Sequence, residues 1–199
     1  MAEVVILIPA AGAARRMLGA DKLMEPVGEE TALRRAARLA ASTGARVAVT
    51  LPQGGPHAAP RRAELTGLGV TAIPLPDAHE GMAASLRAGA RAAGAAEGLM
   101  VLLPDMPGIG GEDLAALIRA FAADPTRPVR AASGDGRPGH PAILPRRLFA
   151  DLLVLAGDEG ARRVLAGEVV TLVPLDGDRA VTDLDTPEDW QAWRAGGNG

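Results

Sequence analysis

Lys22 is the only lysine in a chain of 199 residues; every other cation is an arginine or one of three histidines. It closes the stretch Ile8–Lys22, IPAAGAARRMLGADK, which also carries Gly12, Gly19, Arg15 and Arg16. A compact ammonium, two guanidiniums and a backbone rich in unencumbered N–H groups are what a polyphosphate needs. Composition offers a plainer reading, because Gly and Ala are abundant and one lysine must fall somewhere. The spacing is not that of a GxxxxGK phosphate loop, since Lys22 stands three residues after Gly19. It is not GxGxxG either, so no nicotinamide or flavin fingerprint is present.

The acidic candidates lie far away in sequence. Asp105 ends the apolar run Leu99–Leu103 and sits between Pro104 and Pro107. A carboxylate held there could bind Mg²⁺, which takes one or two carboxylates together with substrate phosphates. It could equally be a turn-forming Asp of the kind common after strands. Asp183 and Asp185 flank Leu184 and share a face if Val181–Leu184 is extended. They could complete a metal site with Asp105, or form a solvated acidic face before a helix N-terminus. His140, in Gly139-His140-Pro141, and Arg162, after Gly157-Asp158-Glu159-Gly160, are further polar candidates; a structural hydrogen bond and an exposed helical position would explain them as well. Ser85 is not in a GxSxG elbow, which excludes the α/β-hydrolase reading. With no cysteine, thiolate nucleophiles and thiolate zinc sites are excluded.

Alternating elements must position these residues. Val4–Ile8 is a continuous apolar run and reads as a strand covered on both faces. Thr31–Ser42 reads as a helix ending near Gly44, with Arg34, Arg35 and Arg38 toward solvent. Strand Val47–Val49, a Gly/Pro loop over Pro52–Pro60, a short helix Arg61–Leu68 and strand Val70–Ile73 follow. Glu80–Ala93 is a helix, and Leu99–Leu103 a buried strand. Leu114, Leu117, Ile118 and Phe121 have the i, i+3, i+4, i+7 spacing of an amphipathic helix. Val129–Ser133 and Ala142–Leu144 read as strands around a turn-rich Gly134–Pro141. Helices around Leu148–Leu155 and Gly160–Ala166 precede strand Val169–Val173. Thr186-Pro187-Glu188-Asp189 is an N-cap with Pro in the first helical turn. This alternation predicts a mostly parallel α/β sheet with helices on both faces and ligands outside the carboxyl ends of its strands. Ile8–Lys22 and Pro104–Pro107 then share one edge.

Bulk composition narrows the function classes. Net charge is −3 and aromatic residues make up 2% of the chain, so neither a basic field nor stacking platforms favour nucleic acid. No apolar run is long enough to span a membrane. The absence of cysteine, and of a basic stretch before the first apolar run, leads to the expectation of a cytoplasmic protein.

Taken together, PAAGAARRMLGADKLMEPVG, EGMAASLRAG, VLLPDMP, GRPGHPAILP, GDEGARRVL and DLDTPEDW resemble, in order, the conserved segments of the MobA-like nucleotidyltransferases. Ala10-Ala11-Gly12 with the GHP and GDxGAR segments resembles the molybdenum cofactor cytidylyltransferase branch; the guanylyl branch usually reads LAGG. The resemblance implies one nucleotidyltransferase domain over residues 1–199, with a Rossmann-like three-layer α/β/α fold. It implies transfer of CMP from CTP to the terminal phosphate of a molybdenum–pterin cofactor, with Mg²⁺, pyrophosphate release and delivery to a molybdoenzyme. The implied catalytic residues are Arg16, Lys22 and Asp105. Nucleotide contacts fall on Ala10, Ala11, Gly12, Ala13, Arg16, Lys22, Gly81 and Ser85, metal contacts on Asp105, Asp183 and Asp185, and acceptor contacts on His140, Asp158 and Arg162. Two departures stand out. Ala13 and Ala14 occupy positions where the family often carries Ser, and Leu18 lengthens the usual Arg-Met-Gly by one residue. GTP, another phosphate acceptor such as a sugar phosphate, and a non-catalytic cofactor-delivery role are the alternatives.

Overall fold

The structure is a computed structural model that describes residues 2–12, 17, 20–157 and 159–198. Strand β1 (Val4–Pro9) is apolar throughout because both its faces are covered. Val4, Ile6 and Ile8 pack with helices α1 (Ala32–Ser42) and α4 (Gly111–Ala123). Val5 and Leu7 face α3 (Met82–Ala93), α5 (Phe149–Leu153) and α6 (Ala161–Val164).

A seven-stranded sheet is ordered β5 (Thr71–Leu75), β4 (Arg46–Pro52), β1, β6 (Gly98–Val101), β8 (Pro138–Pro145), β7 (Val129–Ala132), β9 (Thr171–Pro174). All its strands run parallel except β8, which is antiparallel to β6 and β7. A short ribbon, β2 (Pro26–Val27) and β3 (Glu30–Thr31), leads into α1. The result is the expected three-layer, mostly parallel α/β/α sheet. After β1 the chain builds toward β4 and β5, and after β6 it builds the other way. The carboxyl ends of β1 and β6 therefore flank the switch point, where such sheets open a crevice.

Local signals hold where the sequence states them. The helix read over Thr31–Ser42 is α1, with Thr31 its N-cap, the hydroxyl accepting from the Arg34 amide. Thr186 and Asp189 form a reciprocal capping box on α7 (Pro187–Trp193). Several expectations shift. The short helix after the Pro52–Pro60 loop is α2 (Ala58–Glu64), earlier than Arg61–Leu68. Gly134–Pro141 is not all turn, because pairing with its neighbours extends β8 back to Pro138. Arg35 is not a solvent position; it reaches the Ile109 carbonyl at 2.9 Å and ties α1 to the loop before α4.

A Trp-centred cluster closes the molecule near the loop. Trp190, fully buried, packs with Met17, Val27, Ala32 and Leu184. No helix among the described residues is long and apolar enough to cross a membrane.

Candidate active site

The amide of Ala10 donates to the Thr50 carbonyl at 3.0 Å, carrying β1 to the lip of the crevice. At the far end of the loop, Asp21 caps the turn Lys22–Met24, accepting from the Leu23 amide at 3.1 Å. That turn aims Lys22 back across the sheet edge. Its Nζ lies 2.5 Å from Asp105 Oδ2 and 2.6 Å from Asp185 Oδ1. Burial alone would lower the Lys22 pKa; Asp105 and Asp185 outweigh it and hold the ammonium above its ordinary 10.5.

Asp105 follows β6, is 9% exposed, and has its other oxygen, Oδ1, buried with no hydrogen-bond partner among the described residues. The strap carrying Asp183 and Asp185 is pinned over it, the Leu184 amide donating to the Asp105 carbonyl at 2.9 Å. Asp183 is exposed by surface area but stands in the mouth of the crevice. Its carboxyl is raised above 3.8, first by desolvation and then by the charges of Asp185 and Asp105.

These groups line a cavity of about 720 Å³. Ala11, Gly12, Lys22, Asp105, Asp183 and Asp185 line it, together with Gly81 and Ser85 from the start of α3. Ala10 is buried. Gly81 opens α3 at φ +79°, a conformation that side-chain-bearing residues rarely adopt. The buried Ser85 hydroxyl accepts from the Thr50 hydroxyl at 3.0 Å. Ala13, Arg16 and Asp158, named from the sequence, lie outside the described residues.

His140 and Arg162 do not line this cavity. His140 sits on β8 beside the Asp105 end of β6, its amide bonded to the Ala180 carbonyl at 2.8 Å. Burial, and then Arg130, push its imidazole below 6.5 against the pull of a Val101 backbone bond and Asp105; it is neutral at pH 7. Arg162 is exposed in the first turn of α6.

The expected metal contacts are carboxylates. Among the described residues no group of three or more acidic or histidine side chains is gathered to hold an ion. The cation between Asp105 and Asp185 is the Lys22 ammonium itself. The donor chemistry fits Mg²⁺ or Mn²⁺: the available groups are hard carboxylate oxygens, and the buried Asp105 Oδ1 has no partner among the described residues.

The MobA-like NTP transferase domain matches residues 6–173 of the sequence. The chain belongs to this family. No curated protein matches it in sequence. Among solved structures, this MobA-like transferase is similar to a homologue of Mycobacterium tuberculosis Rv0371c from Mycobacterium sp. strain JC1. The two are 31% identical with TM-score 0.76, covering 97% of this chain and 96% of that one. The Rv0371c complex with manganese, from M. tuberculosis H37Rv, is 26% identical with TM-score 0.76, covering 96% and 97%. CMP:2-keto-3-deoxy-manno-octonic acid synthetase complexed with CTP shares the fold at 16% identity and TM-score 0.75, covering 97% of each chain.

In this transferase one residue at the site has no counterpart in the sequence reading. Arg61, on α2, is 0% exposed. Its guanidinium donates to the carbonyls of Ala10 and Gly12, each at 2.7 Å, and grips Asp21 through Nε at 2.7 Å and Nη2 at 2.8 Å. Asp21 also lies 3.3 Å from His57 Nδ1. No sequence spacing announces this contact, because Arg61 stands among arginines on a short helix and meets Asp21 only through the fold.

Proposed function

We propose that this transferase moves CMP from CTP to the terminal phosphate of a molybdenum–pterin cofactor and releases pyrophosphate. The observation that carries the reading is the meeting of Lys22, Asp105 and Asp185 in one crevice that Ala11 and Gly12 also line. The attacking phosphate oxygen is already anionic, so it forms its bond to the α-phosphorus without a strong base. The bond to the pyrophosphate breaks, and the task is alignment and charge neutralisation.

Backbone N–H groups at Ala11 and Gly12 cradle the triphosphate. Lys22, drawn into the crevice by two carboxylates, supplies a mobile cation to the α-phosphate and the departing pyrophosphate. Gly81 and Ser85 border the nucleoside. Asp105 with Asp185 or Asp183 would hold a divalent ion, which supplies further neutralisation of the triphosphate. The manganese complex of the Rv0371c structure supports the ion, and the CTP complex of the synthetase supports a cytidine nucleotide in this fold. The GHP and GDxGAR segments, with His140 and Arg162, form the acceptor side by family resemblance.

The test is pyrophosphate release from CTP, Mg²⁺ and the molybdenum–pterin by wild type, Lys22→Ala and Asp105→Ala. Each variant is expected to lose about 10²- to 10³-fold in turnover. Near-wild-type rates in either variant would refute its assigned role. Preference for GTP, or for a sugar phosphate as acceptor, in the same assay would overturn the substrate assignment.

A further inference from the structure

Arg61 is a buried cation that the proposed reaction does not use. A guanidinium that merely satisfied an ion pair would spend its donors on carboxylate. Here one edge goes to Asp21 and the remaining nitrogen to two carbonyls of the loop that walls the crevice. In a planar trans peptide the carbonyl and the following N–H point in opposite directions. Holding the Ala10 carbonyl against Arg61 therefore turns the Ala11 N–H away from that cation. The N–H groups of Ala11 and Gly12 form no backbone hydrogen bond among the described residues. Through Asp21, the same guanidinium also sets the turn that begins at Lys22.

We infer that Arg61 is a positioning residue for the polyphosphate loop: it binds the carbonyls of Ala10 and Gly12, so that the loop offers N–H groups to an anion, and through Asp21 it aligns Lys22. The inference rests on the nucleotide reading above. Lysine cannot replace Arg61, because a single ammonium lacks the planar fork that reaches two carbonyls and both oxygens of Asp21 at once.

The experiment compares wild type, Arg61→Lys, Arg61→Ala and Asp21→Asn. Thermal melting reports folding, and calorimetric titration with Mg²⁺ reports the affinities of CTP, GTP and CMP. In folded Arg61→Lys the dissociation constants for CTP and GTP are expected to rise together by about ten- to a hundredfold, with CMP much less affected. Folded Asp21→Asn is expected to weaken CTP in the same sense. Millimolar guanidinium is expected to restore part of the CTP affinity of Arg61→Ala, since Arg61 borders the cavity. A lowered melting temperature with unchanged CTP affinity in Arg61→Lys, or in Asp21→Asn should the Arg61 variants not fold, would make the tie purely structural and overturn the inference. Equal losses for CMP and CTP would overturn it as well. If the wild type binds no nucleoside triphosphate, the nucleotide reading falls and takes the inference with it; wild-type binding with indifferent variants sinks the inference alone.

Discussion

Gly139 belongs to the GHP segment that family resemblance assigns to the acceptor, yet its surroundings give it a different task. A Cβ placed on Gly139 would lie 1.8 Å from the Ala180 carbonyl oxygen, 2.5 Å from the Ala180 carbonyl carbon and 3.0 Å from Val181 Cγ1. To reach ordinary contact, the strap at Ala180 must retreat by about 1.5 Å. The obstruction is backbone, so no side-chain rotation relieves it. Gly139→Ala thus breaks the 2.8 Å bond from the His140 amide to Ala180, worth about 1 kcal/mol. It also adds overpacking of about 1–3 kcal/mol. For a chain of this length a loss of that total lowers the melting temperature by about 4–16 °C. The same strap carries Asp183 and Asp185, and its anchor on Asp105 is the 2.9 Å bond from the Leu184 amide. A displacement near 1 Å at a reacting site costs about 10²-fold in rate. Melting by circular dichroism and pyrophosphate release at saturating CTP measure the two effects. A Gly139→Ala protein that melts with wild type and turns over at an unaltered rate would refute the claim that this glycine seats the aspartate strap.

Two further outcomes follow from particular side chains. The chain has no tyrosine or cysteine, and Lys22 is its only lysine, so Lys22 dominates side-chain titration between pH 9 and the arginine range. Its folded pKa lies above 10.5, so its stabilisation is complete below pH 10.5 and is lost as pH rises through the folded value. Urea midpoints of wild type should fall in that window, whereas Lys22→Met should start lower at pH 8 and lack the alkaline descent; parallel curves would contradict the ion pairs. Trp190 and Trp193 are the only tryptophans, and Trp190 packs against Met17 of the loop. Intrinsic emission should therefore change when CTP and Mg²⁺ bind, and unchanged emission alongside calorimetrically proven binding would show that the loop and the C-terminal helix are uncoupled.

Much of the architecture was written in local patterns. A run such as Val4–Ile8 needs cover on both faces, and the cap Thr186 acts within one helical turn, so strand and helix identities are legible without knowledge of the fold. The same logic put Ile8–Lys22 and Asp105 on one edge, because both directly follow buried strands. It failed at Pro138–Pro141, where Gly and Pro read as a loop and pairing with β7, Ala132 opposite Pro138, overrides them.

Side-chain partnership is another matter. Lys22 meets Asp105 across 83 positions and Asp185 across 163, and Arg61 meets Asp21 across 40. Periodicity and capping are short-range properties of the chain and say which residues face a ligand edge. Which of those residues touch depends on strand order and on how closely backbones approach, as at Gly139 and Ala180. The amino-acid pattern therefore placed a lysine, an aspartate and a glycine-bearing loop on one ligand edge. Packing of the sheet, the strap and α2 decided that its lysine is held by two carboxylates and its loop by one buried guanidinium.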